Sequence, residues 1–455
     1  MNRNTELFES MPVHRAVRTM AVPTIIGQLI ILIYNMADTF FIGRTGNPYM
    51  VAGASLILPI FNISLSLAGL AGIGGGSLVS RLLGEKKPEE AKRVYSFSVY
   101  LCGLAAIMFS LLTLFFMQPL MHLLGAGDDT YLFARDYAFC VIVCGALPTV
   151  LSNTLSTLLR SVGASKEAGF GVTLGGVVNI GLDPLLMFVL FPDGMEIIGA
   201  GVATCLSNVL SCVYFIIVIA RMGGDSVLRL TRPTLFPTKE SLRGIFSVGV
   251  PSSITTFLFD LDYIVIDRLM SGYGDLPLAA IGIVLKAERL PLNIGVGLCQ
   301  GMMPIAAYNY AAHNYPRMKE TKNYTCFLGL VSAAVSITLY ELFAGQILRF
   351  FIDDAETTML GTAFLRIRCL ATPLMFLSFF HVFLFNAFGK GKPALFLGVT
   401  RWLVFNIPML FLLNAVIGMN GIVWSQVTAD TLTVILSLIV YRRFEKKELA
   451  GNVPL

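Results

Sequence analysis

The chain has 455 residues, of which 55% are hydrophobic and only 13% charged. Soluble domains carry about 25% charged residues, so this composition excludes a soluble domain of useful size and requires an integral membrane protein. The formal net charge of +5 says little alone, because the placement of the basic residues about a membrane matters more than their sum.

Residues 1–18 are polar and include Arg3, His14, Arg15 and Arg18. The first apolar run contains PTIIGQLIILIYNMADTFFIGRTG, from Pro23 to Gly46. It is long enough to span a bilayer as a helix. It is too long for a cleavable signal and ends at Phe41-Ile42-Gly43-Arg44 without a small-residue cleavage site. Its one acid, Asp38, costs about 2.5–3.5 kcal/mol to insert, so it is expected to have a task and partners in other segments.

Twelve apolar runs follow one another, at 20–43, 50–80, 94–117, 131–158, 168–191, 197–220, 244–272, 276–309, 323–348, 357–388, 393–417 and 420–441. All are too long for strands, and a spanning segment must satisfy its own backbone, so all are read as helices. With the N-terminus inside, the inner segments hold 24 of the 33 Lys and Arg. The outer segments hold Arg44, Arg268 and Arg349, beside acids such as Asp128, Asp193 and Asp353. This asymmetry predicts that both termini are cytoplasmic.

The chain repeats itself. An offset of 228 pairs Pro23 with Pro251, Gly46 with Gly274, Gly69 with Gly297 and Pro88 with Pro316. Offsets of 225 to 227 pair Pro148 with Pro373, Lys166 with Lys392 and Asn179 with Asn406. Six spans per half make the repeats parallel, related by an axis along the membrane normal. The expected division is a first half at 1–220, a linker at 221–243 with Pro233 and Pro237, and a second half at 244–455.

No catalytic set stands out, and the chain is not expected to be an enzyme. Gly72-Ile73-Gly74-Gly75-Gly76-Ser77 lacks the lysine of a phosphate-binding loop and reads as close helix packing. The eight cysteines sit singly in apolar runs without metal-ligand spacing. His381 reads as a packing or hydrogen-bonding residue.

Depth sorts the intramembrane acids. At 1.5 Å per residue, Asp38 and Asp183 each lie roughly 12 Å below the outer end of their span. Asn179 is on the same helix face as Asp183, Thr204 lies at about 11 Å, and Tyr137 falls near this level. Close carboxylates cannot both ionise cheaply, and these oxygen donors suit a proton or Na⁺. In the second half, Asp262 and Lys286 match at roughly 15 Å, and Asp260 and Arg289 at about 18–20 Å. Asp430, Arg366 and Arg368 share a level. These read as neutralising pairs with Glu288 left over, or alternatively as substrate contacts. Pro23 removes one helix hydrogen bond about 15 residues below Asp38 and marks a place where the first span can bend.

Twelve spans in parallel halves, the pattern Pro23…Gln28…Tyr34-Asn35…Asp38…Gly43-Arg44…Gly46, and Asn179-x-x-x-Asp183 resemble the multidrug and toxic compound extrusion (MATE) family, nearest its DinF-like and MepA-like branch. The resemblance implies an all-α membrane fold of two V-shaped lobes. It also implies efflux of bulky, often cationic compounds against H⁺ or Na⁺, a first-lobe cation site at Asp38, Asn179, Asp183 and Thr204, and a first helix that bends at Pro23. The Asp183-to-Thr204 spacing is slightly longer than the family leads one to expect, and the second-lobe acids of another branch have no clear counterpart. Tyr34, Asn35 and Asn153, with Asp260, Asp262, Lys286, Glu288 and Arg289, are candidate cavity or substrate contacts. Asp38, Asn179 and Asp183 would ligate the metal if Na⁺ were the coupling ion. No cofactor is expected beyond the transported ion. The expected partners are small organic molecules and membrane lipids, with no nucleic acid, and the chain is expected to be a monomer in the plasma membrane. A lipid-linked oligosaccharide flippase is the competing reading, kept open by the basic residues of the second half. A passive channel would not need two unlike halves.

Overall fold

The computed structural model describes residues 3–223, 226–230 and 236–449, and of residues 3–5, 260 and 449 the backbone only. Part of the expected linker, including Arg232 and Pro233, therefore lies outside the described residues. A short helix α1 (Arg3–Glu9) precedes the first repeat: α2 (Val13–Arg44), α3 (Pro48–Gly84), α4 (Pro88–Phe115), α5 (Met117–Leu123), α6 (Asp128–Ala138), α7 (Ala146–Ser161), α8 (Ser165–Leu185) and α9 (Glu196–Arg221). The second repeat holds α10 (Lys239–Met270), α11 (Asp275–Ala311), α12 (Tyr315–Phe351), α13 (Ala355–Cys369), α14 (Thr372–Ala387), α15 (Gly391–Val399), α16 (Ile407–Ile417) and α17 (Met419–Phe444).

Among the described residues, ten helices are long and apolar enough to cross a membrane, and two bent pairs, each taken as one span, bring the number to twelve. The runs expected as single fourth and tenth spans are each broken. A π-helical stretch carries α6 on to Cys144, where the chain bends by 48° into α7, and α13 bends by 46° into α14. The paired prolines supply the reason. Pro148 and Pro373 stand in the first turns of α7 and α14 and cannot donate to the carbonyls of Cys144 and Cys369, so each helix restarts.

The repeats meet where glycines let backbones approach. A side chain on Gly249 would collide with the Leu70 carbonyl, one on Gly74 with the Ile245 carbonyl, one on Gly301 with Ala21, and one on Gly297 with Ile25. Glycine allows this contact because lipid tails give no hydrophobic drive between helices, and close packing must supply the attraction. Within the Gly72–Gly76 run, Gly74 faces the other repeat, while Gly72 and Gly76 pack on α7 at Thr154 and Thr157 and Gly75 packs on Ser98 of α4, all within the first repeat.

All these inter-repeat contacts lie in the half of each helix nearer the N-terminal end of α2. Exposure changes at the same level. On α3, Tyr49, Ala52, Ser55, Leu58 and Ile63 are exposed, whereas no residue from 64 to 84 is. On α2 the lower half exposes a single stripe through Arg18, Val22 and Ile26, and the upper half widens to Asn35, Met36, Thr39 and Phe40. The two repeats thus form a V, closed at the end that carries the N-terminus and open at the other. One basic residue counted with the inner segments is placed differently: Arg160 is 7% exposed, inside the last turn of α7 between the repeats.

Candidate functional site

Helices α2 and α8 run parallel, and small residues on α8 set their register. The backbone of Gly169 lies on Pro23, Gly27 on Val172, and Gly176 on Ile30 and Tyr34. The offset is 145–146 residues at Pro23, Gly27 and Ile30, and continuing it brings Asp38 beside Asp183, one turn beyond Asn179. Gly201 of α9 lies against the ring of Tyr137, with Thr204 one turn further along. Four helices therefore deliver the five residues expected in the first-half layer.

The contacts within the layer are few. The Tyr137 hydroxyl donates to Asp38 Oδ2 at 3.2 Å. Asn179 Nδ2 donates to Asp183 Oδ1 at 3.3 Å and lies 3.5 Å from Thr204 Oγ1. Asp183 is fully buried and Asn179 nearly so. Asp38 Oδ1, Asn179 Oδ1 and Asp183 Oδ2 are buried without a partner among the described residues. An unsatisfied buried acceptor costs about 1–3 kcal/mol. Three in one layer, all hard oxygens, form a donor set for a proton or a small cation. Arg135, the basic residue nearest this layer in sequence, is committed to Asp136 at 2.6 Å on the exposed side of α6.

The other first-half candidates lie around this layer. Tyr34 is half-buried against Gly176, and Asn35 is exposed on the upper half of α2. Asn153 is half-buried and donates to the Thr149 carbonyl at 2.9 Å. Helix α2 continues unbroken through Pro23. Below it, the Met20 carbonyl accepts from Thr24 Oγ1 at 2.8 Å and from Ser165 Oγ of α8 at 2.6 Å. Side-chain hydroxyls thus support the backbone beside the turn that lacks the proline N–H.

The second half corrects the depth-matched pairs. Lys286 is exposed and forms no ion pair with Asp262, which is 2% exposed and leaves Oδ1 without a partner. Two residues separate Lys286 from Glu288, which on an α-helix turns them to opposite faces. Glu288, expected to be left over, is the paired residue: Arg368 Nη2 reaches its Oε2 at 2.8 Å, with both side chains buried. Arg366 is not with Asp430 but pairs with Glu341 at 3.5 Å near the surface. Asp430 is held by Arg401 at 2.8 Å and by Gln426 at 2.6 Å. Arg289 stacks 5.0 Å over the ring of Tyr263. The side chain of Asp260, expected to face Arg289, lies outside the described residues.

The repeat explains why the halves differ. Asp430 stands 226 residues beyond Thr204, and Asn406 is the counterpart of Asn179. The first half has free oxygens at this level. The second half has a permanent cation, Arg401, lodged against Asp430 and stacked on Phe379 and Trp402. Sequence reading missed Arg401, although its place inside an apolar run was a signal for a buried ion pair.

Comparison with known proteins supports the repeat and the fold. The family model MatE matches residues 23–185 and again 251–412, two stretches that begin 228 residues apart. The chain is 32% identical to the multidrug export protein MepA of Staphylococcus saprophyticus over 433 residues, covering 95% of this chain and 94% of that one. It is 30% identical to the MepA protein of Staphylococcus aureus over 434 residues, with the same coverage. In fold it is similar to an outward-facing multidrug resistance MATE transporter of the MOP superfamily, with a TM-score of 0.91 at 22% identity over 97% of this chain and 98% of that one. A Vibrio cholerae MATE transporter gives a TM-score of 0.90 at 18% identity, covering 96% and 98%. With the family model matched twice along the chain and a relative at 32% identity over nearly its whole length, this protein belongs to the MatE family of transporters.

Proposed function

We propose that the chain is a secondary active exporter of bulky, often cationic organic compounds, driven by antiport of H⁺ through the layer at Asp38, Asn179 and Asp183. The observation that carries this reading is the set of three buried, unpartnered oxygens on those residues, in a repeat whose cleft is open at one end. The MepA relatives are called multidrug export proteins, which favours export of drugs over flipping of a lipid-linked sugar. The halves 1–220 and 244–455 act as lobes joined by 221–243. Both termini face the cytoplasm of a cell whose plasma membrane holds the protein as a monomer, in keeping with the basic-residue asymmetry.

A proton or ion entering the layer changes its charge by one unit. In a low-dielectric layer that is worth several kcal/mol, against a few for rearranging a helix. Helix α2 carries Asp38 above Pro23 and makes inter-repeat contacts on either side of that proline, at Ala21, Ile25 and Gln28. A change at Asp38 is therefore transmitted to the cleft by bending at Pro23, which expels the substrate. Na⁺ is the second reading, because Asn179 Oδ1 and Thr204 Oγ1 add neutral oxygens to the two carboxylates.

The test is efflux of a cationic dye from proteoliposomes under pH and Na⁺ gradients imposed separately. Acceleration by the pH gradient alone is expected. Strict dependence on Na⁺ at constant pH replaces the proton by the metal, and indifference to both gradients rejects antiport.

A further inference from the structure

A second polar group lies at the closed end of the V. Gln300 of α11 accepts at Oε1 from Arg160 Nη1 of α7 and from Gln28 Nε2 of α2, each at 3.1 Å. Arg160 Nη2 donates to Ser156 Oγ one turn back on α7 at 2.9 Å, and its Nε is buried without a partner. Its guanidinium thus has only neutral partners, and none of the ion pairs among the described residues includes it. The two other arginines that are buried among the described residues each have a carboxylate: Arg368 has Glu288, and Arg401 has Asp430. A buried charge without a counter-charge costs several kcal/mol, and a neutral Gln would fill the same place without that cost if packing were the only need.

The three residues come from both repeats. Gln28 and Gln300 are half-buried at the floor of the cleft. Separation of the repeats at this end takes Gln300 away with α11 and leaves Arg160 on α7. The guanidinium then offers the freed Nη1 beside Nη2, one of its two donor pairs whose fork geometry matches a carboxylate, to whatever enters from the N-terminal side.

We infer that Arg160 is a substrate-recognition residue: when the repeats part at this end it binds the carboxylate of zwitterionic substrates, and on closure Gln300 takes over its donors and releases that group. This rests on the exporter reading, and it names the group that holds the anionic end of a zwitterionic substrate, which the acidic layer alone would repel. The cationic end of such a molecule is left for the acids, and its anionic end for Arg160.

A fluoroquinolone carboxylic acid and its methyl ester separate the two ends chemically. KM is measured for both in proteoliposomes of neutral lipid alone, so that no anionic headgroup competes. Ethidium efflux in the same vesicles reports the exporter reading separately. The wild-type protein should take the acid with the lower KM; equal values for acid and ester would overturn the proposal without any variant. Arg160→Gln should raise the ratio of acid to ester KM about tenfold, the loss of one charge-assisted contact. Gln300→Leu, which removes the competing acceptor and leaves the guanidinium, should leave that ratio unchanged or lower it. An equal rise in the ratio for both variants would show that Arg160 acts only as a latch between the repeats, and an unchanged ratio in Arg160→Gln would show that it does not meet the substrate.

Discussion

An Asp38→Asn variant is expected to reach the membrane in wild-type amounts and to show only background gradient-driven efflux. The amide keeps the size of the carboxylate and can still accept from the Tyr137 hydroxyl, which in the wild type lies 3.2 Å from Oδ2. It cannot take up a proton or neutralise a cation. Folding is spared because Asp38 is only half-buried and the α2–α8 register is set lower down, where Gly169 and Gly176 meet Pro23 and Ile30. Dye efflux under an imposed pH gradient, set against downhill exchange without one, separates lost coupling from lost transport. Undiminished gradient-driven efflux in this variant would remove Asp38 from the coupling site.

The second large effect belongs to the buried pair Glu288–Arg368. Arg368 donates through Nε and Nη2 to one oxygen of Glu288, at 3.1 and 2.8 Å. Removing either partner strands a charge in a space closed to water and costs about 3–5 kcal/mol. Glu288→Leu and Arg368→Leu should each lower thermal stability in detergent sharply. The double variant should recover most of the loss, because replacing a whole buried pair by apolar groups is close to neutral. Additive losses in this cycle would mean that the two side chains are held by other groups. Asp262 lies among these charges with one oxygen unpartnered. Counting Asp262, Glu288 and Asp430 against Arg368 and Arg401, the buried set has one more acid than base.

What could be read from the sequence is what varies along one dimension. Hydropathy gives the number of spans, and rise per residue gives depth, so Asp38, Asn179, Asp183 and Thr204 fell into one layer before any contact was known. Recurring prolines and glycines gave the repeat, but runs 131–158 and 357–388 were read as single spans, and the bends before Pro148 and Pro373 were not expected. Depth carries no information about direction around a helix. That is why Lys286 was matched to Asp262 although it points away, and why Glu288 was left without the Arg368 that holds it. Reading basic residues by segment placed Arg160 with the inner loops, because its burial depends on α2 and α11 closing over the last turn of α7. The first half also resisted a single label: the second half differs from it by the presence of Arg401, and that difference is visible only once Arg401, just after α15, is seen to face Asp430 of α17.

The most direct test of the central claim, that the Asp38–Asn179–Asp183 layer exchanges a proton for substrate, is to titrate the purified wild-type protein with a quaternary ammonium dye in weakly buffered, Na⁺-free solution and record proton release. A quaternary dye carries no proton of its own, so any proton that appears comes from the protein. Stoichiometric release that is absent in Asp38→Asn and in Asp183→Asn is the predicted result. Dye binding with no proton released, or with the same release from both variants, would contradict it.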